Sequence, residues 1–473
     1  MVKKYETNIK VDKRIVGLLS RSTYQKSFSS SIRELVSNAY DADSLAVNIT
    51  VSENFKKIII EDDGNGMSQK EFESYITIAQ TKSDTSFTRK YKRKRIGQFG
   101  VGFLAIFPYC ETLEILTTVE NSEEILSITI PVAEYWASAK KMLVNEIPIY
   151  GKIISDSKQT GLHYTKFILN NASYRIKEYF TKKPNQNEES VSNKDPLENF
   201  KWELQEDLPI KYQHNSKFNA LFEYDEPIGM TVFLNEKQLF RNEPCNNILE
   251  CSEAIISGVK CKFIFTTNYT AVKPRAARGI KIRVNNVGIG ARTDFDLSKD
   301  RGFARLHWIN GEIAFSETVK EHLNIARDAF ISSILTTELF DYFANKLKHH
   351  VNSIQHIAEA EKEIENITSN SKTKSVQSKS EVVKRNVQKL ENKGFEIIHK
   401  KEKSSDERTH KAIEIDKDKK QILIYDQDEL DTESIVIHSR KFNILYNKDI
   451  TEPCILLKND LILAEYFQQR VLQ

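Results

Sequence analysis

The order of three segments constrains the fold of this chain more than any other feature of its sequence. Residues 28–43, FSSSIRELVSNAYDAD, carry apolar residues at helical spacing, which predicts a helix. Residues 57–67, KIIIEDDGNGM, predict a strand that ends in a tight turn, because glycine permits sharp backbone bends. Residues 97–107, GQFGVGFLAIF, predict a glycine-rich loop that opens an apolar helix. With further strand patterns around them, the first ~170 residues are expected to form an α+β domain with a mostly antiparallel sheet.

Polar side chains of the first two segments are candidates for ligand contacts. Glu34, Asn38 and Asp41 share one face of the predicted helix, because they are spaced four and three residues apart. Asp62 ends the predicted strand, two residues before the first glycine of the turn. Each pattern is common by itself, since a polar helix face is usually solvated and a glycine turn is usually only a turn. The case for a binding site therefore rests on their order.

Taken together, the three segments resemble the GHKL superfamily, which includes DNA gyrase, the heat-shock chaperone Hsp-ninety, histidine kinases, MutL and MORC proteins. ELVSNAYDA (34–42) is similar to the N-box of that family, and DDGNGM (62–67) to its adenine-binding box. GQFGVGF (97–103) is similar to its chaperone-type phosphate box. The resemblance extends over roughly residues 20–170 and implies the family's two-layer α/β sandwich, the Bergerat fold.

The resemblance implies a magnesium–ATP site and a role for each matching residue. Glu34 matches the general base that activates the attacking water, and Asn38 matches the Mg2+ ligand. Asp41 is expected to support the same face, and Asp62 matches the carboxylate that accepts the adenine amino hydrogen. Thr165 resembles a threonine near adenine. The other implied contacts to ATP come from the two boxes: Gly64, Gly66, Met67, Gly97, Gln98, Phe99, Gly100, Val101, Gly102 and Phe103.

A basic segment, KSDTSFTRKYKRKR (82–95), occupies the place of the family's ATP lid and holds seven Lys or Arg residues against one Asp. Its cations, Lys82 among them, are candidates for contacts to the phosphates when the lid closes. A solvated basic loop and a DNA-facing patch are equally open interpretations. No GxxxxGK[ST] pattern occurs in the chain, which excludes a P-loop site.

A second site feature lies in the predicted second domain. LNIARDAF (323–330) resembles the loop of the chaperone's middle domain that carries an arginine to the terminal phosphate. By that match Arg327 is the candidate arginine finger, which stabilises charge on the transferring phosphoryl group. The alternative is a structural arginine paired with a neighbouring carboxylate. Other basic candidates are weaker: Arg275, Arg278 and Lys281.

Composition shifts divide the chain into four predicted parts. We expect an ATP-binding domain over residues 1–180 and a transducer-like or middle-like domain over residues 200–345. Residues 346–389 are expected to be a helix followed by a flexible linker, because their second half is rich in Ser and Lys. Residues 390–473 are expected to form a small C-terminal α/β domain.

Bulk composition adds limits on the class of protein. The net charge of +3 argues neither for nor against nucleic acid. The five cysteines form no CxxC pair, and neither a signal peptide nor an apolar span of ~20 residues is evident. We therefore expect a soluble, cytoplasmic protein that does not enter a membrane.

The resemblance also implies how such a protein works. We expect a Mg2+-dependent ATPase that acts as an ATP-gated dimeric clamp or conformational switch, as an ATP-dependent homodimer. Its partner is expected to be either a protein client, as for a chaperone, or DNA, as for a MORC or MutL protein. The alternative is a non-hydrolysing ATP-binding interaction module of a microbial defence or stress system.

Overall fold

The computed structural model describes the chain except for residues 1–10, 25–26, 80–86, 98–99, 137–142, 156–160, 182–194, 222–228, 300–304, 371–394, 401–412, 417–420, 426–433 and 438–473. Its helices are α1 (Arg14–Tyr24), α2 (Phe28–Asp41), α3 (Gln69–Tyr75), α4 (Val132–Trp136), α5 (Tyr174–Thr181), α6 (Pro196–Asp207), α7 (Lys217–Leu221) and α8 (Ile334–Asn370). Its strands up to the second sheet are β1 (Ala46–Val51), β2 (Ile58–Asp62), β3 (Cys110–Thr118), β4 (Glu124–Ile130), β5 (Tyr150–Ser155), β6 (Tyr164–Ala172), β7 (Thr231–Leu234) and β8 (Lys237–Leu239). The remaining strands are β9 (Asn247–Ile256), β10 (Val259–Thr267), β11 (Gly279–Val284), β12 (Val287–Thr293), β13 (Ile309–Phe315), β14 (Phe395–Lys400), β15 (Ile413–Asp416), β16 (Gln421–Tyr425) and β17 (Ser434–Ile437).

The first sheet has eight strands in the order β5-β4-β3-β6-β2-β1-β7-β8. All neighbours pair antiparallel except β1 and β7, which run parallel. Apolar side chains of the sheet, α1 and α2 form one core, which also takes in the segment after the glycine loop. Side chains alternate along β2, so Ile58 and Ile60 enter this core and Asp62 ends the same row. This helix layer on a sheet confirms the predicted two-layer α/β sandwich.

Two elements differ from the sequence prediction. Residues 229–234 were assigned to the second domain, but β7 pairs with β1 in the first sheet, with Ala46 opposite Thr231. The first sheet therefore extends beyond the predicted limit of its domain at residue 180. The apolar segment after the glycine loop is a 3-10 helix, Gly102–Tyr109, rather than an α-helix. Pro108 lies inside it and lacks the N–H that an α-helix would use.

The second sheet has five strands in the order β12-β11-β13-β10-β9. Its core is rich in phenylalanine, and Phe263 of β10 contacts Phe343 at the start of α8 with ring centroids 5.3 Å apart. A buried ion cluster lies in the same region, where Glu312 accepts from Arg283 at 3.2 Å and from Arg241 at 3.4 Å. Buried charges of this kind are tolerated because each has an oppositely charged partner.

Helix α6 is tied to the second sheet by two ion pairs at its C-terminal end. Glu206 receives both the Nε and the Nη2 of Arg292, at 2.9 and 3.0 Å, and Asp207 receives the Nζ of Lys281 at 2.7 Å. The pKa of Glu206 falls to about 2, because the charges of Arg292 and Lys281 outweigh the effect of burial. Lys281, a weaker candidate for the phosphate contact, is thus already engaged as a structural partner.

The described residues within 297–306 and 345–473 make up a second unit, which is considered by itself. Within it, residues 395–437 contain a four-stranded sheet in the order β14-β17-β16-β15. Residues 438–473 of the predicted C-terminal domain lie outside the described residues. Among the helices that the structure describes, none combines the length and the apolar character needed to cross a bilayer.

Candidate active site

Glu34 lies in the buried face of α2, and its carboxylate is held by two arginines. Oε2 accepts from Nη2 of Arg327 at 2.6 Å, and Oε1 accepts from Nη2 of Arg33 at 3.1 Å. All three side chains are at most 6% exposed. The two charged donors fix the direction of the buried carboxylate.

Arg33 fixes the loop that presents Arg327. Its Nη2 donates to the carbonyl of Ala326 at 2.6 Å, and its Nη1 donates to the carbonyls of Gly288 at 3.1 Å and Arg327 at 3.4 Å. Arg327 itself adopts a φ of +51°, in the left-handed region that non-glycine residues rarely occupy. The geometry therefore brings the predicted arginine finger to the predicted general base, although the two residues lie 293 positions apart in the chain.

Asn38 lies one turn after Glu34 on α2 and faces the end of the glycine loop. Gly102 is so close that a Cβ built on it would lie 3.3 Å from Glu34 Oε2 and 3.8 Å from Asn38 Nδ2. Asn38 Nδ2 donates to the hydroxyl of Tyr75 at 3.5 Å. Among the described residues, no group donates a hydrogen bond to its Oδ1. That oxygen is the type of ligand that magnesium prefers.

Asp41 contacts the start of the glycine loop. Its carboxylate accepts the backbone N–H of Ile96 at 2.7 Å and of Gly97 at 2.8 Å. The sequence predicts that Asp41 supports the nucleotide-binding face, and in the structure its carboxylate holds the backbone that leads into the glycine loop. Gly100, further along the loop, adopts a φ of +62° and its carbonyl accepts from the N–H of Ala79 at 3.3 Å.

Asp62 forms the other end of the candidate site. It is 5% exposed, and its Oδ1 accepts the N–H of Gly64 at 2.9 Å. Burial raises the pKa of Asp62 to about 7. Thr165 lies opposite Asp62 in the register of β2 and β6, and its hydroxyl is 3.1 Å from that of Thr117. A buried, poorly solvated carboxylate gains most from a ligand that donates a hydrogen bond.

The turn after Asp62 requires glycine at its centre. Gly66 has a φ of +67°, and a Cβ built on it would lie 1.8 Å from the carbonyl oxygen of Thr118. The N–H of the next residue, Met67, donates to the hydroxyl of Thr117 at 2.8 Å. The close approach of the turn to β3 therefore fixes the position of the whole DDGNGM segment.

Comparison with known proteins shows which family this arrangement resembles. Residues 26–160 match the family model described as "Histidine kinase-, DNA gyrase B-, and HSP90-like ATPase". This part of the chain is a domain of the GHKL type. The match covers α2, the Asp62 turn and the glycine loop, which are the segments that build the site.

Relatives of the GHKL domain in this chain are bacterial chaperones named HtpG. The chain is 30% identical to the one from Bacillus licheniformis over 149 residues, which cover 27% of this chain and 22% of the relative. It is 27% identical to the one from Borreliella afzelii over 238 residues, or 45% of this chain and 32% of the relative. A third, from Wigglesworthia glossinidia brevipalpis, is 32% identical over 170 residues. The chain thus matches between a fifth and a third of the length of these relatives.

Three predicted contacts of the GHKL site, Lys82, Gln98 and Phe99, lie outside the described residues. Val101 and Phe103, which follow in the same segment, are buried. Phe103 belongs to the core of the first sheet and its helices.

The described part of the basic segment shows that its charges serve different purposes. Arg93 is 1% exposed, donates to the carbonyl of Ser44 at 2.6 Å, and lies over the ring of Tyr40 at 4.9 Å. Asp43 accepts the N–H groups of Lys90 at 2.8 Å and Tyr91 at 3.1 Å. These hydrogen bonds, with one from a threonine, outweigh burial and hold the pKa of Asp43 below its ordinary value.

Sequence reasoning missed Arg33 and Asp43 as parts of the GHKL site. Both lie next to motif residues, yet nothing in the local pattern distinguishes them from solvated charges. Their roles depend on carbonyl and N–H groups far away in the chain. The one available signal was the presence of Arg33 within an otherwise apolar or small-residue helix face, since a charged residue there needs a buried partner.

Proposed function

We propose that this chain is a magnesium-dependent ATPase that uses ATP to change the contact between its GHKL domain and the Arg327 loop. Asp62 binds the adenine amino group, and the glycine loop from Gly97 to Gly102 binds the phosphates. One observation carries the proposal. Glu34, the residue suited to activate water, touches Arg327, the residue suited to stabilise the terminal phosphate. Their contact places base and cation at one point, opposite the end of the glycine loop.

Asn38 fits the role of magnesium ligand, because its Oδ1 is free of donors among the described residues while its Nδ2 is held by Tyr75. A bound magnesium ion would neutralise the phosphates and bridge them to the protein. The remaining chemistry belongs to side chains of the chain itself. Glu34 orients a water and accepts its proton, and Arg327 stabilises the negative charge that develops on the transferred group.

We propose that the ion pair between Glu34 and Arg327 is one of two positions that Arg327 takes in the ATPase cycle. While Arg327 donates to Oε2, it competes with a water for that oxygen and makes it a weaker base. We expect the terminal phosphate of ATP to draw Arg327 away from Glu34, which strengthens the base for hydrolysis. A change at this pair moves the Arg327 loop and couples ATP to the second sheet.

The proposal extends to assembly and partner. We expect ATP to promote a homodimer that acts as a clamp, because the chain is similar to proteins named as chaperones. A protein client follows from the same similarity. DNA is the competing partner, and the exposed lysines of residues 87–95 are the surface that would favour it.

The test is to measure Mg–ATP binding and phosphate release for wild type, Glu34→Ala, Asp62→Asn and Arg327→Ala. Glu34→Ala is expected to bind ATP and to lose hydrolysis by about 100-fold or more, because a positioned base contributes that much. Asp62→Asn is expected to lose binding. Glu61→Gln is the matched control for Asp62, since it lies next to it on the other face of β2 and pairs with Lys166 at 2.9 Å.

Each outcome assigns the function differently. A wild type that binds no ATP, or an Asp62→Asn variant that binds normally, refutes the proposed site. ATP binding without phosphate release in the wild type supports the non-hydrolysing interaction module instead. Sizing with a non-hydrolysable analogue tests the dimer, and adding DNA or an unfolded protein to the same assay compares the two partner classes.

A further inference from the structure

The peptide of residues 95–97, which we call the entrance peptide, leads directly into the glycine loop. Its N–H groups are held by the GHKL domain, since Asp41 accepts from Ile96 and Gly97. The carbonyl groups of Arg95 and Ile96 accept hydrogen bonds from residues that follow the second sheet or connect its strands. The entrance peptide is therefore held from two sides by parts of the chain that are distant in sequence.

The carbonyl of Arg95 has two donors from that second side. Lys320, in the 3-10 helix Glu317–His322, donates its Nζ at 2.5 Å. Asn285, in the turn between β11 and β12, donates its Nδ2 at 3.3 Å. The neighbouring carbonyl of Ile96 accepts from Arg327 Nη1 at 2.9 Å. The carbonyls of Arg95 and Ile96 are thus fixed by side chains from outside the GHKL core.

Lys320 is not positioned like a surface lysine that only makes the protein soluble. Burial lowers its pKa, although the charges of Glu317 and Asp41 act in the opposite direction. Its amine is directed at a main-chain oxygen rather than at water. The nearby Lys94, in contrast, is 54% exposed and pairs with Glu317 across 3.7 Å.

Asn285 is also suited to this position by its backbone. It adopts a φ of +46°, a conformation that asparagine tolerates better than most residues. The tight turn between β11 and β12 then directs the amide toward Arg95. Two independent elements of the second sheet region therefore converge on one carbonyl oxygen.

We propose that Lys320 and Asn285 are positioning residues of the nucleotide site, which hold the Arg95 carbonyl and thereby set how well the glycine loop binds phosphates. The inference rests on the proposed ATPase function and deepens it, because it assigns control of nucleotide affinity to the second sheet region. Arg327 leaves its place to act on the terminal phosphate, whereas Lys320 and Asn285 hold the entrance of the loop throughout.

The experiment compares Lys320→Met, Lys320→Arg, Asn285→Gly and Lys94→Met in the full chain. Dissociation constants for Mg–ADP and Mg–ATP are measured by calorimetry, and KM and kcat by phosphate release. Asn285→Gly keeps the left-handed turn while removing the amide, and Lys320→Arg keeps a donor. Lys94→Met removes an equal charge at the neighbouring position without touching the carbonyl.

Lys320→Met is expected to weaken ADP and ATP alike by about fivefold to tenfold, because a hydrogen bond from a charged donor is lost. Its kcat is expected to stay within about threefold of wild type, since Glu34 and Arg327 are intact. Asn285→Gly is expected to act in the same direction, and Lys320→Arg to restore most of the affinity. Arg327→Ala is expected to differ by a large fall in kcat, and it also weakens ADP binding because it removes the donor to the Ile96 carbonyl.

Equal nucleotide affinities in wild type, Lys320→Met and Asn285→Gly would overturn the proposal and leave the ATPase function standing. An effect of Lys94→Met as large as that of Lys320→Met would overturn it as well, since net charge alone would then explain the result. A wild type that binds neither nucleotide refutes the ATPase function and this inference together. If Lys320→Met unfolds, Asn285→Gly and Lys320→Arg decide the question.

Discussion

Replacing Asp62 by Asn is expected to make the nucleotide-free protein more stable while it removes nucleotide binding. The pKa of Asp62 is raised from 3.8 to about 7 by burial, so the folded protein binds a proton there more tightly than the unfolded chain. Below pH 4 the carboxyl is protonated in both states and contributes no difference. As the pH rises from 4 to 7, the unfolded chain gains stability by ionising and the folded state does not. Above pH 7 the cost is complete.

The size of this effect follows from the pKa shift. One pKa unit corresponds to about 1.4 kcal/mol, so the shift of about three units costs the folded protein up to about 4 kcal/mol above pH 7. Asparagine carries no charge and its Oδ1 still accepts the N–H of Gly64. We therefore expect Asp62→Asn to be about 2–4 kcal/mol more stable than wild type at pH 8, with little difference at pH 4.

The assay is urea unfolding of the nucleotide-free proteins at several pH values between 4 and 8, followed by circular dichroism. The gap between the urea midpoints of Asp62→Asn and wild type is expected to widen from pH 4 to pH 7 and then to level off. Glu61→Gln controls for loss of a charge at the adjacent position. A gap that stays constant with pH, or an Asp62→Asn variant less stable than wild type at pH 8, refutes the reasoning.

Two further substitutions test the local geometry. Gly66→Ala is expected to abolish nucleotide binding and lower the melting temperature, because its Cβ would lie 1.8 Å from the carbonyl oxygen of Thr118 at a φ of +67°; normal binding by a folded variant would contradict this. Arg93→Met is expected to destabilise the protein by about 2–3 kcal/mol in urea unfolding, because it leaves the buried carbonyl of Ser44 without its charged donor. Lys94→Met, with its exposed side chain, is the control and is expected to change stability by less than about 0.5 kcal/mol; equal effects of the two would show that Arg93 is not a structural residue.

The sequence was informative wherever a short pattern carries its own geometry. The spacing of Glu34 and Asn38 places both on one helix face, and the glycines around Asp62 mark a turn that no other residue can form. The alternation of apolar and polar residues predicted most strands of the first sheet. These features depend on neighbours within a few residues, which is the range over which periodicity can be read.

Long-range partners could not be predicted in this way. The pairing of β7 with β1 depends on a register between strands far apart in the chain, and local alternation identifies a strand without naming its partner. Arg93 stands in a run of basic residues that suggests a solvated loop, yet it is buried because distant carbonyls and aromatic rings satisfy its guanidinium. A charge pattern gives the number of cations, and the fold decides which of them face water.

The contact between Glu34 and Arg327 gives the proposed switch its direction. In the structure, Arg327 donates to the Glu34 carboxylate and to the carbonyl of Ile96, and both partners are buried. A nucleotide can move the loop only through a difference in its affinity for the two positions of Arg327. ATP provides that difference because its γ-phosphate carries more negative charge than one carboxylate, and ADP has no γ-phosphate. In the proposed switch, hydrolysis therefore returns Arg327 to Glu34, where it competes with water for the carboxylate until the next ATP binds.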